Sequence, residues 1–276
     1  MYIYYIIMNR FLLINNKHFF DNNNIITLNK DSEIPNKNCI LFIGDHNRSI
    51  DEPDFIKIYL ERIKEKQFNY IIILGKGDCM IDKDIDIPKN IKHIYANNIN
   101  YNHPIIKFLP MGSDFRSIQS FSKANIQNKN RNILCYCNFS LNTHNDRKSI
   151  LAMVKNNKDI LIENMGTFLK YSISRDTFFK RLGNSKFVIC PRGNALDTFR
   201  FYDTIYAGAI PIVVKENFHN EEYFKDIPIL FLNSINEFKL LNKTFLDSKY
   251  DLLKCQLKNY YNNLDFQKWV EGLKFD

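Results

Sequence analysis

One stretch restricts the fold more than any other: Ser185 to Val214, SKFVICPRGNALDTFRFYDTIYAGAIPIVV. Phe187-Val188-Ile189-Cys190 is an apolar run of strand length. Pro191-Arg192-Gly193-Asn194 is a turn cluster. From Asp197 to Ala207 the spacing predicts a helix, with Phe199, Tyr202, Ile205 and Tyr206 as its apolar stripe. Gly208 stands where a helix C-terminal glycine belongs. Ile210 to Val214 reads as a second, β-branched strand, with Pro211 near its start. Strand, tight loop, helix and strand make one βαβ unit, which closes right-handed into a parallel sheet.

Such a unit fixes where chemistry can occur. The loop after its first strand lies at the carboxyl edge of the sheet, where open α/β folds bind ligands. The following helix points its free N–H groups and positive dipole end at that edge. Arg192 sits in the loop; Arg200 and Asp203, three apart, share a helix face that Asp197 begins. A cation, a helix N-terminus and a carboxylate in one cleft suit a nucleoside diphosphate joined to a sugar. Arginine would hold phosphate, and aspartate would accept from ribose or sugar hydroxyls. The same spacing fits a plain surface ion pair between Arg200 and Asp203, and both readings stand at this point.

The pattern SKFVICPRGN, D.FR.YD.IYAGAIPIVV resembles the donor-side signature of exostosin-like glycosyltransferases, including their short viral and bacterial members. Cys137-Asn138-Phe139-Ser140, Asn142-Thr143-His144 and Asp146-Arg147-Lys148 are similar to the run that opens the C-terminal half of those proteins. Asn97-Asn98, His103-Pro104 and Leu109-Pro110-Met111-Gly112 resemble the family's crossover between halves. The three segments occur in the family's order. One position departs: the family's helix usually carries Glu where this chain has Asp203, one methylene shorter.

Composition sets limits on this. The 276 residues allow one large domain or two of ordinary size. With 45% apolar and 25% charged residues, wholesale disorder is excluded. The net charge of +8 is spread along the chain, which fits acidic ligands such as nucleotide sugars. No zinc finger, RNA-binding aromatic signature or Arg-rich arm supports specific nucleic-acid binding. Cys39, Cys79, Cys135, Cys137, Cys190 and Cys255 are scattered, several inside apolar runs, and read as free thiols in a reducing compartment. Met1 to Met8 is apolar, but Arg10 interrupts it, so it is too short and broken for a membrane span and lacks the marks of a signal peptide. It reads as a buried first strand or hairpin. A cytoplasmic location is expected, host cytoplasm or virion if the chain is viral.

Along the rest of the chain, Cys39 to Ile43, Tyr70 to Leu74 and Ile91 to Ala96 read as buried strands. Phe55 to Lys66 reads as an amphipathic helix presenting Phe55, Ile58, Tyr59 and Ile63. Ser117 to Arg131 is the most loop-like stretch and the expected linker. Beyond it, Asn132 to Cys137 and Ile160 to Glu163 are expected strands, and Arg147 to Asn156 and Arg175 to Gly183 helices. Ile229 to Leu232 is a further strand, and Phe245 to Trp269 is largely helical. The expected fold class is α/β with two Rossmann-type domains, residues 1–120 and 131–276, a C-terminal helix packing back. The resemblance makes this a GT-B-like arrangement, two domains facing each other across a cleft. It implies an acceptor-side N-terminal domain and a nucleotide-sugar-binding C-terminal domain.

An inverting transferase needs a base for the acceptor hydroxyl and positive charge for the leaving diphosphate. Arg147 and Arg192 both fall at a predicted sheet edge and are the expected diphosphate ligands, with Arg200 on the helix. Asn138, Ser140, Gly193 and Asn194 lie beside them, and Asp203 is the hydroxyl ligand; loop capping explains the Asn and Ser residues equally well. For the base, Asp45 and His46 follow one buried strand, Asp78 follows the next and Asp114 lies near the crossover; Asp45 is favoured, with His46 second. Asp82, Asp84 and Asp86 fall in a Lys-containing loop before Pro88 and read as solvated, so no metal or other cofactor is expected. The phosphate-binding P-loop, the Gly-x-Gly-x-x-Gly fingerprint and the Gly-x-Ser-x-Gly elbow are absent. The expected function is sugar transfer from a nucleoside-diphosphate sugar to a glycan or protein-linked acceptor. The alternative is a non-catalytic carbohydrate-binding or virion-associated protein that retains the fold.

Overall fold

The computed structural model describes residues 25–29, 31–43, 55–75, 85–99, 103–112, 130–163, 173–196, 198–217, 224–258 and 273–275. These fall into two compact units. The first runs to Met111 and includes residues 273–275; the second begins at Gly112.

The first unit contains β1 (Ile25–Leu28), β2 (Cys39–Ile43), α1 (Phe55–Lys64), β3 (Tyr70–Leu74), β4 (Ile91–Ala96) and β5 (Ile106–Phe108). The five strands are parallel and lie in chain order, β1-β2-β3-β4-β5. Every residue of β2 is buried, which is why it reads as a continuous apolar run rather than an alternating one. Ile56, Tyr59, Leu60 and Ile63 of α1 are buried with Leu41, Ile72 and Ile94. The expected helix face is thus rotated: Ile58 is 47% exposed, and Ile56 and Leu60 take the inward positions. Asn90 donates to the carbonyls of Ile63 and Lys66 and so closes the end of α1. Met1 to Met8 lies outside the described residues.

The second unit contains β6 (Ile133–Cys137), α2 (Asn145–Val154), β7 (Ile160–Ile162), α3 (Arg175–Asn184), β8 (Ser185–Ile189), α4 (Phe199–Tyr206), β9 (Ile210–Val214), β10 (Leu230–Leu232) and α5 (Lys243–Leu253). Its sheet is also wholly parallel, in the order β7-β6-β8-β9-β10. One face buries Cys135, Cys137, Phe187, Ile189, Ile210 and Ile212 against Ile150 and Val154 of α2 and Leu246 of α5. The alternate residues Tyr136 and Val188 are buried as well, as are Phe179 and Leu182 of α3 and Phe201, Tyr202 and Ile205 of α4. The expected helix from Phe245 to Trp269 is described only as far as Lys258, and residues 259–269 lie outside the described residues. Asn242 caps α5 by accepting from Phe245 N–H, and a 3-10 segment follows from Lys254 to Lys258.

Pro211 stands in a strand with neighbours on both sides, a position proline usually avoids. The register explains it. Ile212 accepts from the N–H of Cys190 at 2.9 Å and so faces β8, which turns Pro211 toward β10. Pairing with β10 begins only at Ile212, so the missing donor has no ladder partner to deprive. Gly208 has φ 67°, and the N–H groups of Gly208 and Ala209 bond the carbonyls of Ile205 and Thr204. It is the left-handed helix stop expected from the sequence. The start of α4 differs: Thr198 is its N-cap, and Phe199, expected inside, is 46% exposed.

At the amino edge of this sheet Arg131 acts as a clamp. Its Nη1 donates to the carbonyls of Leu182, Gly183 and Ser185, and its Nη2 donates to Ala207 at 2.8 Å. The carbonyl ends of α3 and α4 are thereby joined to the entry of β6 through one cation. Arg131→Ala is expected to lower stability by roughly 2–3 kcal/mol, the scale of hydrogen bonds to a charged group. A lower urea midpoint with an unchanged slope would register it. Among the described residues no helix is long and apolar enough to cross a membrane.

Candidate functional site

The strand order of the second unit reverses once. From β6 the chain goes to β7 on one side, then returns to β8 on the other. At such a switch point the loops leave in opposite directions and open a crevice at the carboxyl ends of the strands. The described sheet of the first unit keeps chain order and has no reversal. The crevice of the second unit is bounded by the loop after β6, residues 138–144, and by residues 190–196 and 198 after β8. Most of the expected donor-side residues come together here.

Arg147 is the most deeply placed, 7% exposed on the first turn of α2. Its Nε donates to the Arg192 carbonyl at 2.7 Å, Nη1 to Ser140 at 2.9 Å and Nη2 to Pro191 at 3.2 Å. Its guanidinium also lies 5.7 Å from the centroid of the Phe139 ring. The side chain thus ties the two loops together and spends three of its five N–H groups inside the protein. Gly193 makes room for this. A Cβ at position 193 would come 3.2 Å from Arg147 Nη2 and 3.7 Å from Thr143 Oγ1. Burial, and then the charge of Arg200, pull the Arg147 guanidinium down to about 9. It remains a cation at neutral pH, held by carbonyls rather than by a carboxylate.

Around Arg147 lie five buried polar atoms with no hydrogen-bond partner: Asn138 Nδ2, Ser140 Oγ, Thr143 Oγ1, Arg192 Nε and Arg200 Nη1. Buried polar atoms are nearly always paired, so a cluster of orphans marks a place that ordered water or a ligand completes. Most are donors, and two belong to arginines. The site therefore suits an oxygen-rich anion. Thr198, the N-cap of α4, makes no side-chain capping bond, and its carbonyl accepts from the Phe201 N–H at 3.0 Å. The start of α2 is occupied instead by the His144 imidazole, which accepts from Asp146 N–H. α2 therefore begins at Asn145, two residues before the expected start.

Arg200 rests on an aromatic face, its guanidinium 5.1 Å from the Phe178 ring centroid. Asp203 is buried on the inward side of α4, which removes the reading of Arg200 and Asp203 as a surface pair. Cys190 is also buried, near Thr204 Oγ1 at 3.3 Å. Burial pushes its thiol up to about 12, so it is not a nucleophile at neutral pH. Cys39, Cys135 and Cys137 are likewise buried free thiols, while Cys255 is exposed.

Asn194 is exposed at the tip of the second loop. Asp45, His46, Asp78 and Asp114 lie outside the described residues. Asp86 is exposed and ion-paired with Lys64 at 3.7 Å, as a solvated loop residue would be. Sequence reasoning gave no role to Thr143 or His144, which belong to the same loop. Burial and the neighbouring Arg192 hold His144 below the ordinary imidazole range, and Asp146 opposes that shift. His144 is therefore neutral at pH 7. With Nδ1 accepting from Asp146 N–H, its proton sits on Nε2. The available signal was position alone: both residues follow a buried strand and precede a helix.

Three comparisons bear on the chain. The family model of the exostosin GT47 domain matches residues 75–221, which include both crevice loops. The crystal structure of an alpha1,3-fucosyltransferase is similar with a TM-score of 0.47 and 13% identity, over 84% of this chain and 76% of that one. No curated protein matches.

Proposed function

The chain belongs to the exostosin GT47 family, and from that premise we propose that it moves a sugar from a nucleoside-diphosphate sugar to a hydroxyl of a glycan or protein-linked acceptor, with inversion. In this reading the second unit binds the donor and the first unit the acceptor, as in a GT-B enzyme. Arg192 and Arg200 bind the diphosphate, with Asn138, Ser140 and Thr143 beside them. Arg147 fixes the loops and contributes its charge. Asp203 accepts from a ribose or sugar hydroxyl. The base, for which Asp45 is the first candidate and His46 the second, takes the acceptor proton as the new bond to the anomeric carbon forms. The bond from that carbon to the diphosphate breaks, and the leaving oxygen keeps the electron pair. The arginines stabilise the charge that develops there, the role a metal ion plays in other transferases. The reaction is accordingly proposed to run without a metal.

The observation that supports this most directly is the set of five orphaned buried polar atoms, two of them from arginines, at the β6/β8 switch point. Thermal denaturation with UDP- and GDP-sugars, each with and without Mg²⁺, tests it. A donor at 100 times its dissociation constant adds about 2.7 kcal/mol of stability. One donor class is expected to stabilise the protein, equally with and without Mg²⁺, and the gain is expected to vanish in Arg192→Ala. Release of free nucleotide from that donor then distinguishes an enzyme from a carbohydrate-binding protein that retains the fold. A protein stabilised by no donor would remove the proposed site.

A further inference from the structure

Among the described residues Arg200 has no ion-pair partner. A guanidinium on a long flexible stem is normally fixed by a carboxylate, and here a ring stands in that place. We propose that Phe178 is the positioning residue for Arg200, holding its guanidinium by the ring face so that the full charge stays available to the donor's diphosphate. The inference rests on the donor-site reading above. A carboxylate would order Arg200 as well but would cancel the charge the diphosphate needs. A ring quadrupole attracts the cation without neutralising it. The ordering matters because a loose arginine must be immobilised when the donor arrives, and that cost falls on affinity.

The ring is itself well seated. Phe178 lies 6.3 Å from the Tyr136 ring and 5.3 Å, edge-on, from Phe179. Its helix, α3, is fastened to the carboxyl edge of the sheet by Arg181, one turn further on. Arg181 Nε donates to Glu163 Oε1 at 2.7 Å, and Tyr136 Oη donates to Glu163 Oε2 at 2.8 Å. Both oxygens of Glu163, which follows β7, are thus occupied, so the acid beside this platform is engaged away from Arg200. Arg147 on the Phe139 ring repeats the device across the crevice.

Titration calorimetry with inorganic pyrophosphate, UDP and GDP on the whole chain tests this. Phenylalanines carrying one to four ring fluorines at position 178 keep the shape and drain the negative ring face. The affinity for pyrophosphate and for the preferred nucleotide is expected to fall stepwise, to about tenfold weaker. Phe178→Tyr should bind within about twofold of wild type, because a tyrosine face is as good a platform. Phe178→Leu should match the most fluorinated form, and in an Arg200→Met background it should change nothing further. A merely structural role would show neither the fluorine series nor that dependence on Arg200. Fluorinated variants that bind like wild type, or a Phe178→Leu effect that persists without Arg200, would overturn the inference while leaving the donor site standing. Wild-type protein that binds none of the three probes would instead take down the donor-site reading, and this inference with it.

Discussion

Arg200→Ala is expected to lower kcat/KM for the nucleoside-diphosphate donor by about 100- to 1,000-fold, the usual loss on removing one preorganised charge donor from a leaving group. The fold should survive it. Arg200 makes no side-chain hydrogen bond to the described protein, and its Nη1 is buried with nothing to bond. Its one side-chain contact of note is the Phe178 ring, and the loss of such a contact costs only about 0.5–2 kcal/mol. Activity should therefore collapse while the melting temperature moves little. Arg200→Lys should recover part of the rate, since the charge returns without the planar fork. A variant with wild-type kcat/KM would move the leaving group away from this crevice.

Arg147→Ala should behave in the opposite way, with stability as its first casualty. The side chain is 7% exposed and bonds the carbonyls of Ser140, Pro191 and Arg192. Removing it leaves three acceptors and a cavity at the junction of two loops. Each buried group left unpaired costs about 1–3 kcal/mol, and partial collapse and water entry recover some of that. A loss of about 3–4 kcal/mol is expected, read from the urea midpoint. Arg147→Lys should not restore it, because one ammonium cannot span three carbonyls in the geometry of the fork. Unfolding at the wild-type midpoint would show that the clamp is not what joins the loops. Together the two variants separate an arginine that meets the ligand from one that builds the site.

Where the chain was legible from its sequence, burial was the reason. Cys39–Ile43, Tyr70–Leu74 and Ile210–Val214 lie where apolar runs put them, since strands covered on both faces leave no polar alternation to blur the signal. β1 and β5, of four and three residues, were not read as strands, although β7 and β10, equally short, were. Helix faces were the weaker part. Ile58 and Phe199 are exposed although apolar, and an end-turn residue contributes little to a stripe. For the site, the rule that ligands meet loops after parallel strands was enough to bring Asn138, Ser140, Arg192 and Gly193 together. It did not show that Arg147 turns inward to bind carbonyls. That depends on where three backbone oxygens from two distant loops converge, and residue type does not carry this. Nor could it show which polar atoms lack partners, because an orphan is defined only by what surrounds it.

Arg131 holds the far ends of both α3 and α4, at the edge of the sheet opposite the crevice. One of those helices carries Phe178 and the other Arg200. The two helices are levers pinned by a single bolt, and the gap between ring and cation at their working ends is set where neither residue is found. On the proposed donor reading, a change at Arg131 is therefore expected to register in a kinetic assay as a fault in donor binding, although the altered side chain lies across the whole sheet from the crevice.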